Sequence, residues 1–343
     1  MGAGWFARHL GCAAAQRESL GGRGARHLLL GVGRLTDTGD LKRRHALARQ
    51  GHILWSPRFD DGRSVTTGAT LGVMQAQMGS SADTLRKYDA IESRLTAPVS
   101  ERMLDLANLR SGMRLLDLAS GCGEPALRAA HRVGAHGSVL GVDVSDALLA
   151  YAREKAQRSD ISNLELRVAD AESLDGLPSE AFDAATARWG LMYMRAPVRA
   201  LMNVRRVLKQ GALFVGAFWA EPERVPWAML ARCVLARYRD VPSINPEAPG
   251  PLRYADPSVI ERDLDHAGLT LEHVEEVDVP VIEAAAGVGI VTWVRDIGLM
   301  PLAAELSASE YAHYEADLAR EAEQFGLNGV VRLGGITRLV VAR

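Results

Sequence analysis

The chain is poor in cysteine, nearly free of net charge and without a long apolar run. Its three cysteines, Cys12, Cys122 and Cys233, stand far apart. They support neither a disulfide framework nor a metal site, so a reducing, cytoplasmic setting is the expectation. A formal net charge of -2 over 343 residues gives no electrostatic case for nucleic acid or an anionic membrane surface as partner. A membrane span needs about 20 apolar residues. The longest candidate here, Val281 to Val294, is interrupted by Glu283, Gly287 and Gly289. Acid is also scarce at the N-terminus, where Glu18, Asp37 and Asp40 face nine Lys and Arg residues up to position 50. Residues 1–69 read as an Arg/Gly-rich extension, expected to be poorly ordered. They fit a transit peptide, a disordered tail, or an upstream extension with Met74 or Met78 as the true start.

What remains is ordinary globular composition, 48% hydrophobic and 24% charged. Its centre is Arg114 to Ala126. Leu115, Leu116 and Leu118 form a short apolar run, as a strand buried on both faces does. Ser120-Gly121-Cys122-Gly123 breaks the chain, and Glu124-Pro125 opens a helical pattern. A glycine turn between strand and helix lets a ligand lie against the backbone, with the helix N-terminus facing its anionic group.

Three further apolar segments each end in a residue able to hold a ligand. Ser138 to Val142 runs into Asp143, twenty residues past Gly123, where an open α/β sheet places an acid on ribose hydroxyls. Leu164 to Val168 leads to Asp170-Ala171-Glu172, and Ala181 to Ala187 to Arg188-Trp189-Gly190. Helical patterns separate these strands, with Ser145 as N-cap of the helix from Asp146, so right-handed crossovers and a parallel sheet follow.

Upstream, from Leu71 to Leu109, Leu85, Tyr88, Ile91, Leu95, Val99, Met103 and Leu106 recur at helical spacing, with a cap expected at Ser80 or Ser81. Downstream, a helix is expected over Trp227 to Arg239 and another over Pro257 to Gly268. A fifth strand is expected over Leu213 to Phe218 and a sixth over Leu269 to Val279, and Ile336 to Val341 closes the sheet. The long segment between those two strands is too large for a plain loop and reads as a substrate lid.

The four strand-end motifs, Leu116 to Pro125, Gly141 to Ser145, Val168 to Leu174 and Phe182 to Leu191, resemble those of class I S-adenosylmethionine-dependent methyltransferases. The branch is that of ubiquinone/menaquinone C-methyltransferases and natural-product methyltransferases. The resemblance covers Tyr88 to Ala220 well, the last hundred residues loosely and the N-terminal extension not at all. It implies an α/β, Rossmann-like fold with a seven-stranded, mostly parallel sheet, helices on both faces and an inserted helical lid. The implied domain spans 70–343, with a helical cap at 70–110, a cofactor-binding core at 111–220 and the lid at 283–335.

The resemblance also assigns roles. Gly121, Cys122 and Gly123 match the cofactor loop, Asp143 with the adjoining Val144 the ribose contact, and Asp170 and Ala171 the adenine contact. Arg188 falls where the backbone meets the methionine end, and Asp117 where an acid orders the ammonium. Ala119 stands where the motif often has glycine, and Cys122 where relatives often have threonine. Tyr88, Trp189 and Tyr193 are the expected acceptor pocket, while His313 and Tyr193 are the candidates for a base, with Asp296 beside Trp293 a further one. No metal is expected.

The implied reaction is methyl transfer to a small molecule, with O-methylation of a secondary metabolite preferred over C-methylation of a quinone or polyketide precursor. Two other classes stay open. One is a cyclase that binds the cofactor without transferring methyl. The other is a nicotinamide dehydrogenase, because Gly121 to Ala126 also reads as G-x-G-x-x-A with Asp143 as its acid.

Overall fold

The computed structural model describes residues 82–343. The expectations for 1–69, for Met74 and Met78 and for a cap at Ser80 or Ser81 lie outside them. Helix α1 (Ala82–Leu106) leads into β1 (Arg114–Leu118), α2 (Ala126–Val133), β2 (Ser138–Asp143), α3 (Asp146–Arg158), β3 (Leu164–Val168) and β4 (Phe182–Arg188). These units arise as the apolar spacing requires. Leu115, Leu116 and Leu118 are buried in β1, and the alanine-rich face of α2 is buried through Ala126, Ala129 and Ala130. Ser145 caps α3 by accepting from the Leu148 amide at 3.4 Å. Helix α2 begins one residue past Pro125, which occupies the N-cap and not N1.

The second half holds α4 (Pro197–Val207), β5 (Leu208–Trp219), α5 (Pro226–Leu235), α6 (Pro257–His266), β6 (Leu271–Ala284), α7 (Gly287–Asp296), α8 (Ala308–Ala322), β7 (Gly326–Leu327) and β8 (Val330–Ala342). The strand order is β3-β2-β1-β4-β5-β8-β6, with β7 paired to β8. Strands β1 to β5 pair in parallel, and β8 is antiparallel to both of its neighbours. Thus the mostly parallel Rossmann-like sheet has eight strands, one more than the seven expected, because β7 adds a two-residue hairpin onto β8.

The last two long strands extend further than their apolar runs. Pairing persists to Ala284↔Val331, so the segment between β6 and β8 is 285–329 where the sequence marks 283–335. The helix expected to reach Arg239 stops at Leu235. Helices α7 and α8 cross closely at Gly287, where a Cβ would lie 2.0 Å from the Ala319 carbonyl oxygen. Helix α8 starts with a capping box, Ser307 and Glu310 bonding each other's backbone amides. It docks on the α5 region through Arg237–Glu321 at 2.6 Å and Tyr238 to Asp317 at 2.8 Å. Helix α1 is tied to this half as well, through Arg102, which forms a bidentate pair with Glu275 at 2.6 and 2.7 Å.

Candidate functional site

The carboxyl ends of β1, β2 and β4 meet beneath α1, around a cleft with about 1150 Å³ of empty space, part of it open solvent. The floor is the β1 loop. Its Ser120 amide donates to the Val142 carbonyl at 3.0 Å and its Gly121 amide to Asp143 Oδ2 at 2.9 Å. Gly121 has φ +49 and Ala119 φ +52, so alanine occupies a left-handed position where glycine would be unstrained. The β4 loop presses against it. A Cβ on Gly190 would stand 2.3 Å from the Ala119 Cβ, so only glycine fits there.

Asp143 is buried, and its Oδ1 also accepts from the Ser145 amide at 2.8 Å. Burial pushes its carboxyl above the ordinary range, against the pull of the Ser145, Gly121 and Val144 amides. Each oxygen keeps a lone pair, so the carboxylate can still accept from two ribose hydroxyls. A smaller recess continues past β2 and β3, lined by Val144, Asp170 and Ala171 along with Asp143, Gly190 and Tyr193. The two spaces share Ala119, Asp143, Gly190 and Tyr193, so together they form one groove running past the ends of β3, β2 and β1. Glu172 is not part of it. Its carboxylate accepts from the Arg195 and Ala196 amides at 2.6 and 3.1 Å and anchors the start of α4.

Asp117 departs from the sequence reading. It pairs in register with Thr186 on β4 and lies fully buried behind the loop, lining neither space. Its Oδ1 accepts from the Thr186 hydroxyl at 2.7 Å, whereas Oδ2 has no hydrogen-bond partner. Burial raises its pKa from 3.8 to about 7. A carboxyl raised in the folded state stays protonated after its unfolded counterpart has ionised, so its stabilisation is full below pH 4 and is lost toward pH 7. Asp117→Asn, which cannot ionise, is therefore expected to gain thermal stability over the native chain as pH rises through that window. Melting curves at pH 4 to 8 check this; a pH-independent difference would mean the carboxylate is already ionised.

Over the loop, α1 presents Thr84, Tyr88, Asp89 and Glu92 to the cleft. Tyr88 donates to Asp296 Oδ2 at 2.7 Å, and Lys87 reaches the same oxygen at 2.5 Å, so α1 is latched to the end of α7. Asp89 is taken up by Lys155 at 2.8 Å and Ser93 at 3.0 Å, and Glu124 by Arg128 at 2.9 Å. Arg188 at the end of β4 donates to Thr96 at 2.5 Å and Ser100 at 3.3 Å. Arg188 itself lines the cleft.

The far wall is aromatic. Trp189 stacks on Trp219 at 4.7 Å and 13°. Trp227 meets Trp219 edge-on at 5.3 Å, and Trp293 continues the series at 6.5 Å from Trp227. Four of the chain's six tryptophans thus line one surface. Trp189 is fixed by Nε1 donating to Thr337 at 2.8 Å, whose hydroxyl donates to the Phe218 carbonyl at 3.0 Å.

The candidate bases fare unevenly. His313 is exposed on α8 and lines neither space, because Tyr314 and Leu318 take the buried face of that helix. Tyr193 is buried between the two spaces. Burial raises its pKa, so its phenol keeps its proton and is placed to donate a hydrogen bond. Cys122 lines the cleft, but burial pushes its thiol up to about 12, which makes it unreactive at neutral pH. Glu92, Trp219, Trp227 and Trp293 complete the cleft and were not among the expected site residues.

Residues 109–236 match the family model described as a methyltransferase domain. This match coincides with the strand ends that build the groove. Over those residues the chain is similar to methyltransferase domains. The chain is 30% identical over 124 residues to the aklanonic acid methyltransferase DauC of Streptomyces sp. (strain C5), covering 36% of this chain and 56% of that protein. It is 36% identical over 123 residues to the ubiquinone/menaquinone biosynthesis C-methyltransferase UbiE of Edwardsiella ictaluri, covering 36% of this chain and 49% of UbiE. The chain thus matches about half the length of these curated relatives. A solved S-adenosylmethionine-dependent methyltransferase from Aquifex aeolicus is similar at 22% identity and a TM-score of 0.44, over 56% of this chain and 92% of that one. Among the described residues no helix is long and apolar enough to cross a membrane, and no cluster of His, Cys, Asp and Glu is set to hold a metal.

Proposed function

We propose that this chain transfers the methyl group of S-adenosylmethionine to a flat, apolar small molecule. Oxygen in a secondary metabolite is the preferred acceptor atom. The observation that carries the reading is the tryptophan wall beyond the β4 end of a groove whose other end is lined by Asp143, Val144, Asp170 and Ala171. When bound, the sulfonium supplies an already activated methyl group. The protein's part is then alignment and exclusion of water. Asp143 would hold the ribose, and Val144, Asp170 and Ala171 the adenine. The β1 loop and Arg188 would hold the methionine end, while Trp189, Trp219, Trp227 and Trp293 orient the acceptor.

No histidine or lysine lines the cleft among the described residues, which suits an acceptor that ionises readily, such as a phenol. C-methylation of a quinone or polyketide precursor is the second reading, supported by the match to UbiE. The dehydrogenase reading is weakened by the antiparallel β8 between β5 and β6, where a dinucleotide-binding sheet continues in parallel. Asp117 does not bear on this choice, since its carboxyl lies behind the loop and not at its mouth.

The test is incubation with methyl-labelled cofactor and two panels, hydroxylated polycyclic aromatics and quinone precursors, with the labelled carbon located by NMR. Label on an aromatic oxygen supports the preferred reading, and label on ring carbon the second. Transfer confined to protein or nucleic acid acceptors would refute both.

A further inference from the structure

Four carboxylates face the cleft, and three are already held. Asp89 is paired with Lys155, Glu124 with Arg128, and Asp143 with backbone amides. Glu92 is different. Among the described residues it has no hydrogen-bond partner, and the nearest cation, Arg188 Nη2, stands 3.9 Å from its Oε1. Its side chain is 41% exposed, and it lines the cleft. The same Arg188 spends Nη1 on Thr96 and Ser100, so it does not close onto Glu92.

The position of Glu92 along the groove is informative. Asp143 fixes the ribose end at β2, and Val144, Asp170 and Ala171 lie further out toward β3. Glu92 stands with Cys122 of the β1 loop, with Arg188 at the end of β4 and with Tyr193, whose phenol its charge helps to keep protonated. That is the stretch between the ribose and the aromatic wall, where the reacting sulfur must lie if the proposed function holds.

We propose that Glu92 is a positioning residue that reads the positive charge on the cofactor's sulfur, favouring the methylated sulfonium over the neutral thioether product. A carboxylate with only a distant guanidinium beside it, facing a half-enclosed cleft, attracts a cation more strongly than one in bulk water does. Burial already disfavours its charged form, with Arg188 opposing. Transfer of the methyl group removes the sulfonium charge while leaving the ammonium and carboxylate of the methionine end unchanged. The interaction with Glu92 then weakens, and the product is released more readily. Asp89, Glu124 and Asp143 add to the negative field, but all three are already held by partners of their own.

This inference rests on the proposed cofactor reading, and calorimetry separates the two. Native protein, Glu92→Gln and Glu92→Asp are each titrated with S-adenosylmethionine and with S-adenosylhomocysteine, without acceptor. Glu92→Gln is expected to lose about tenfold in affinity for the sulfonium and less than threefold for the thioether, while Glu92→Asp keeps most of the native ratio. Retained thioether binding shows that the variant is folded. Equal losses for both ligands, or none for either, would overturn the role of Glu92 and leave the cofactor assignment standing. Binding of neither ligand to the native chain would overturn both.

Discussion

Asp143→Ala is expected to lower affinity for S-adenosylhomocysteine about 100-fold, the equivalent of two hydrogen bonds to a charged group at roughly 1.5 kcal/mol each. The loss has two sources. The carboxylate is the acceptor proposed for the ribose hydroxyls, and it also receives the amides of Gly121 and Ser145. Removing it takes the acceptor from both amides and weakens the tie between the β1 loop and β2. Asp143→Asn separates the two contributions. Its single carbonyl oxygen can keep one loop amide but cannot serve both amides and a diol, so an intermediate affinity is expected. Calorimetric titration of both variants checks this. Native-like affinity in Asp143→Ala would remove the carboxylate from the cofactor site.

Trp219→Ala carries the largest expected effect on stability. Trp219 is 3% exposed, stacked on Trp189 and met edge-on by Trp227. Truncating a buried aromatic of this size costs about 3–5 kcal/mol, part of it for the cavity left behind. For a domain of this length that corresponds to a fall in melting temperature of roughly 10 °C. The variant also removes the centre of the aromatic wall, so acceptor turnover should fall far more than cofactor binding. Urea unfolding read at tryptophan fluorescence gives the first quantity, and S-adenosylhomocysteine titration below the transition gives the control. A variant as stable as the native chain would mean that the four tryptophans do not form a packed surface.

The cofactor half was legible in the sequence because its signals are local. Strand β3 has the bounds Leu164–Val168 that the apolar run gives, and β1 and β2 end where Leu118 and Asp143 stop their runs. Ser145 caps α3 as its position before Asp146 implies. The far strands were harder to read for physical reasons. Strand β6 exposes Glu272, His273, Val274 and Glu276 on its way to Ala284, so no clean alternation marks it. Strand β8 contains Gly334 and Gly335, a pair that reads as a turn. They lie in the strand because a Cβ would come within 2.0 Å of the Val279 carbonyl oxygen and 2.7 Å of the Val225 backbone.

The acceptor side was legible only in part. Trp189 and Tyr193 follow β4 directly and could be placed at the strand mouth. Trp219, Trp227 and Trp293 come from β5, α5 and α7 and meet only after the chain folds, so no spacing announces them. Glu92 did leave a signal, one helical turn after Tyr88 on the same face of α1. His313 misled because its aromatic neighbours suggested a pocket, whereas Tyr311 and Tyr314 pack against each other at 6.1 Å and the histidine faces outward.

The central claim is that the groove along β3, β2 and β1 holds a sulfonium nucleoside and not a dinucleotide. Titration of the native chain with S-adenosylhomocysteine and, separately, with NADH tests it most directly. Saturable one-to-one binding of the former with no heat from the latter is the predicted result. Saturable NADH binding without any response to S-adenosylhomocysteine would contradict the account.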